Sequence, residues 1–103
     1  MTTTIATPTV DFTSVHNHNE RAVFAAVRDH AERYPGLTHS PELLADVACV
    51  ALNRLPPRYI RHEVDFAFYL SDKERADSER QLLDAVDAAF GFVQARQAMR
   101  ARG

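Results

Sequence analysis

Apolar residues recur at helical spacing in three blocks of the chain. Val23, Phe24, Val27 and Ala31 fall on one side of a helix running roughly from His18 to Arg33, with Asn17 as N-cap and Glu20 in the capping-box position. Pro35 and Gly36 end it. Ser40, Pro41 and Glu42 form a second helix start: a cap, a proline at the first helical position and an acid in the first turn. Leu43, Leu44, Val47, Val50, Ala51, Leu52 and Leu55 then spread over so much of that helix that burial on most sides is expected. Asp46 and Asn53 are the polar residues within this surface. Pro56 disfavours helical geometry at the residue before it, so the helix should end near Arg54.

Beyond the prolines the period changes. Val64, Phe66, Phe68 and Leu70 alternate with Asp65, Ala67 and Tyr69, which predicts an extended segment paired with residues 59–62 or with another subunit. Ser71 or Asp72 caps a last helix carrying Leu82, Leu83, Val86, Ala89, Phe90 and Val93 at helical spacing. The expected fold is mainly α: three helices or more with a short extended segment near residues 59–70, working as a dimer. Residues 1–14 read as a flexible N-terminal arm, residues 15–95 as the helical domain and residues 96–103 as a basic tail that frays.

Composition narrows the classes. At 103 residues the chain holds one domain, and a core this small favours a subunit partner. Only 3 glycines, against many alanines, favour helix. The net charge of −2 offers no ground for nucleic-acid binding, and no apolar run reaches the length of about 20 residues that a membrane span needs. The opening "MTTTIATPTVDFTS" lacks the basic and apolar regions of a secretory signal, so a cytoplasmic protein is expected.

Candidate chemistry is sparse. A single cysteine, Cys49, excludes an intramolecular disulfide and a C-x-x-C motif, and its apolar setting predicts a buried, unreactive thiol. The five histidines make no H-x-x-x-H pair, so no metal site is expected. Glycine-rich phosphate loops and nucleophile elbows are absent, and no enzyme is expected. What remains is "NRLPPRYIRH": Arg54, Arg58, Tyr59, Arg61 and His62 beside a rigid Pro56-Pro57 turn. Arginine forks pair with phosphate and with guanine edges, and arginine and tyrosine planes stack on bases. The same residues also read as a helix stop with a solvated basic loop.

"DVACVALNRLPPRYI", Asp46 to Ile60, resembles the signature helix and turn of the late competence development protein ComFB family. "VHNHNERAVF" resembles the family's opening motif. The matching positions are Asn17, Glu20, Asp46, Asn53, Leu55, Pro56, Pro57, Arg58 and Tyr59, with Cys49 in the middle of the signature helix. The resemblance implies a homodimeric, non-enzymatic cytoplasmic regulator. It further implies a cyclic dinucleotide receptor, for cyclic di-GMP, acting on competence, type IV pili or motility through an unidentified partner protein, without a cofactor. The alternative is a ligand-free homodimeric interaction module. Many relatives hold zinc in a cysteine cluster before the signature helix; "LTHSPELL" has none, so the resemblance implies no zinc here. Of the matched positions, Arg58 and Tyr59 suit ligand contact, Asn17, Glu20, Asp46, Asn53, Pro56 and Pro57 suit a structural role, and Arg54, Arg61 and His62 join the ligand set by charge and proximity.

Overall fold

Three helices meet along one apolar seam, and a long-range antiparallel pair of two-residue strands ties the start of the first helix to the chain just after the second. The computed structural model describes residues 9–102. Of the arm expected over 1–14, residues 1–8 therefore lie outside the described residues. In chain order the elements are β1 (His16–Asn17), α1 (His18–His30), a 3-10 turn (Ala31–Arg33), α2 (Pro41–Asn53), β2 (Tyr59–Ile60), α3 (Glu63–Tyr69) and α4 (Asp72–Arg102). The fold is mainly helical, as the periodicity predicts.

The helix ends follow from local chemistry. The Asn17 side chain accepts from the Asn19 amide at 3.1 Å, Ser40 Oγ from the Leu43 amide at 3.2 Å and Ser71 Oγ from the Glu74 amide at 3.1 Å. Each satisfies a donor that the first turn leaves over. The reciprocal half of a capping box is missing among the described residues, because Glu20 is exposed and makes no bond back to Asn17.

Val23 and Val27 of α1, Val47, Ala48 and Ala51 of α2, and Val86, Ala89, Phe90 and Val93 of α4 make the core, with Leu37 of the α1–α2 connection plugged into it. Alanines at 48, 51, 85 and 89 let the helix backbones approach closely, and the Tyr34 ring stacks on Phe90 with centroids 4.3 Å apart. Asp46 reaches Arg96 across the α2–α4 seam at 3.7 Å. The body measures 68 × 40 × 19 Å, about two helix layers thick.

Four expectations change. The stretch 64–70 is not a strand: residues 63–69 form α3, and extended pairing is limited to Tyr59–Ile60 against His16–Asn17. Over so few residues period-2 alternation coexists with an i,i+4 pair such as Val64 and Phe68. A helix satisfies its own backbone groups where no neighbouring strand is at hand. Cys49 is exposed, two positions from both Val47 and Ala51 and so on the other side of α2. For the same reason α2 is buried along one side only; Leu43, Leu44, Val50 and Leu52 remain partly open in the single chain. Finally, α4 continues as helix to Arg102 where fraying was expected.

Gly91 lies within α4 on its exposed side, and an added Cβ would meet nothing within 4 Å. Gly91→Ala should therefore raise stability by about 0.5–1 kcal/mol, because alanine loses less backbone entropy in a helix. A thermal melt should show it as a gain of several degrees.

Candidate functional site

The turn after α2 is held by the polar block at the start of α1, about 40 positions upstream. Asn17 Oδ1 accepts from the Arg58 amide at 3.1 Å as well as from Asn19. The His18 amide donates to the Arg58 carbonyl at 2.7 Å, and the Asn19 side-chain amide donates to the Pro56 carbonyl at 2.9 Å. The register His16↔Ile60 and Asn17↔Tyr59 continues this clasp into the β1–β2 pair. Pro56 and Pro57 carry no N–H, so a tight crossing at this point leaves no orphan donor there. The backbone of the turn is thereby committed to the start of α1.

The clasp decides where the sequence-predicted side chains go. Tyr59 is 68 % exposed, Arg54, Arg61 and His62 are also exposed, and Arg58 is half-buried. Arg61 Nε donates to Ser14 Oγ at 3.4 Å, and His62 occupies the cap position of α3. Tyr59 and Arg61 meet Tyr69 and Asp65 around an open cleft of about 330 Å3 floored by Val15 and Ile60. Arg54, Arg58 and His62 do not line it. Among the motif positions, Asn53 turns back on its own helix, donating to the Cys49 carbonyl at 3.0 Å, and Asp46 serves the α2–α4 seam away from the turn.

Four functional-looking residues escape the sequence reading. Asn19 is only 4 % exposed and is the buried polar side chain that grips Pro56. Its signal was its place beside Asn17, one of two asparagines at a single helix start. His16 and His18 converge on Glu63, the first residue of α3: His16 Nε2 lies 3.1 Å from Oε1 and His18 Nδ1 2.7 Å from Oε2. These pairs span 47 and 45 positions, beyond any local pattern. Hydrogen bonding from His16, then from His18, holds the Glu63 carboxyl below its ordinary range. The Ser14 carbonyl, at 2.8 Å from His16 Nδ1, and secondarily Glu63 raise the His16 imidazole above its ordinary value. His18 and Glu63 also stand at one end of a larger cleft, about 480 Å3, between α1 and the first turns of α4, with Arg75 on its far wall.

Among the described residues, no group of three His, Cys, Asp or Glu side chains could hold a metal ion, and no helix is long and apolar enough to cross a membrane. The family model described as Late competence development protein ComFB matches residues 16–97, which takes in both halves of the clasp. The chain belongs to the ComFB family. No curated protein and no solved structure matches it. For this ComFB chain, the two motif blocks that the resemblance rests on turn out to be the two faces of one contact: the first supplies Asn17, and with it Asn19, and the second supplies Pro56 and Arg58. ComFB membership makes this a competence-related protein.

Proposed function

We propose that this ComFB protein is a non-enzymatic, cytoplasmic receptor for a cyclic dinucleotide such as cyclic di-GMP, acting on competence, type IV pili or motility through a partner protein. The observation that carries the reading is the cleft of Tyr59, Arg61 and Tyr69 beside the signature turn. A tyrosine plane stacks on a base, an arginine fork takes a phosphate, and the committed backbone pre-orders both side chains. At about 330 Å3 the cleft is at the lower end of ligand-pocket sizes, enough for part of a dinucleotide. The ligand's two equal halves then match a homodimer in which two clefts share it. The open apolar groove of Phe24, Leu44, Cys49 and Leu52 between α1 and α2 supports such pairing.

Calorimetric titration of the purified protein with cyclic di-GMP and cyclic di-AMP tests this. The expected result is heat with one of them, one ligand per two chains, and a raised melting temperature. Arg61→Ala should weaken binding at least about tenfold, the scale of a charge-assisted contact, and Arg58→Ala should weaken it less because that side chain is outside the cleft. Absence of heat and of any thermal shift favours the second reading, a ligand-free homodimeric interaction module. The mutual bonds of Asn17, Asn19, Pro56 and Arg58 support that alternative, since they account for the motif as a structural clasp.

A further inference from the structure

We propose that His16, His18 and Glu63 form a pH-operated latch that holds α3 against the β1–α1 corner while His16 is protonated and loosens it when that proton leaves. His16 Nδ1 faces the Ser14 carbonyl at 2.8 Å and its Nε2 faces Glu63 Oε1 at 3.1 Å. Both oxygens only accept, so both ring nitrogens must donate, and only the imidazolium carries two N–H groups. Neutral His16 keeps one of the two contacts. His18 Nδ1 can donate to Glu63 Oε2 in either charge state, so His16 is the member whose proton decides.

Among its described side chains, the element it holds has few other ties. α3 is seven residues long, too short to persist as a helix by itself, and it is flanked by single extended residues, His62 and Leu70. Val64 is 62 % exposed, Phe68 81 % and Tyr69 77 %. Among the described side chains of α3, Glu63, its first residue, is the one bonded to the body, through His16 and His18. The charged and titratable groups around the latch are Arg21 of α1, which opposes protonation of His16, Glu20 and Arg28, which share a cleft with His16, Arg61 on Ser14, Asp65 one turn along from His62, and Asp29, His30, Arg75 and Glu79 around the larger cleft.

The sign follows from the two shifts. His16 is raised above 6.5 in the fold, so its contribution is complete below that pH and is lost as pH rises through the folded value. Glu63 is lowered from 4.5, so its contribution is present above that pH and is lost as pH falls through its folded value. The latch is thus closed between the folded values of Glu63 and His16 and opens as pH rises through that of His16, above 6.5. Opening moves Tyr69 relative to Tyr59 and Arg61, and so reshapes the smaller cleft. The latch needs no ligand to operate.

NMR on the full chain tests it, following the His16 ring proton and the amide protection of Asp65 and Tyr69, relative to α2 amides, from about pH 6 to about pH 9. In the wild type, α3 protection should fall by up to about fivefold along the His16 titration, the scale of a half-exposed ion pair. In Glu63→Gln the His16 titration should move back down and α3 should be poorly protected throughout. In His16→Gln the pH dependence of α3 should vanish, and this variant decides alone if Glu63→Gln fails to fold. Protection of α3 that ignores the His16 titration, or that keeps its pH dependence in His16→Gln, overturns the proposal.

Discussion

Phe90→Ala should lower stability by about 3–5 kcal/mol, a large share of what a domain of this size has. Phe90 is fully buried at the crossing of α4 with the rest of the core, and the Tyr34 ring lies flat on it at 4.3 Å. Truncation removes the apolar area of a whole ring and leaves a cavity that alanine-rich neighbours cannot fill, because Ala51 and Ala89 have no side-chain reach. It also strands one face of Tyr34. A urea titration should show the midpoint falling with an unchanged slope, and a melt should drop by roughly 10 °C or more. Phe92, two positions on and 50 % exposed, is the control. Phe92→Ala should cost less than about 1 kcal/mol in the single chain. A cost near that of Phe90→Ala would mean that a second molecule covers Phe92 in solution.

Asn17→Ala should cost about 2 kcal/mol, the second largest effect expected, because one oxygen serves two donors. Removing it uncaps α1, worth about 1 kcal/mol, and leaves the Arg58 amide without its acceptor, worth about 1 kcal/mol more. Asn17→Asp should recover most of the loss, since a carboxylate accepts both bonds and sits favourably at a helix start. Denaturant titration of the three proteins gives the comparison. Amide exchange at Arg58 locates the effect: in Asn17→Ala it should speed up, while amides of the α2–α4 seam change only as far as overall stability does. Equal stability of wild type and Asn17→Ala would remove the clasp as an energetic feature of the turn.

The helices were readable because their causes are local. Caps at Asn17, Ser40 and Ser71, Pro41 at a first helical position and Pro56 as a stop each act within a few residues, and the core faces repeat every three or four. The signature turn was readable as a motif for the same reason, since Pro-Pro restricts its own backbone and that of Leu55. What the turn is fastened to was not. The reading of α3 failed where seven residues supported two periods, and a helix satisfies its backbone groups within itself.

The chain's local pattern therefore determined three of the four described helices, most of the core and the family. Tertiary structure alone decided that Asn17 and Asn19 grip residues 41 and 37 positions away, that Asp46 meets Arg96, that Cys49 faces outward, and that two histidines share Glu63. The physical reason is the same in each case. A cap or a helical period is satisfied by neighbours in the chain. A buried amide, a carboxylate or the bare side of a helix takes its meaning from whichever groups folding brings within about 3 Å of it.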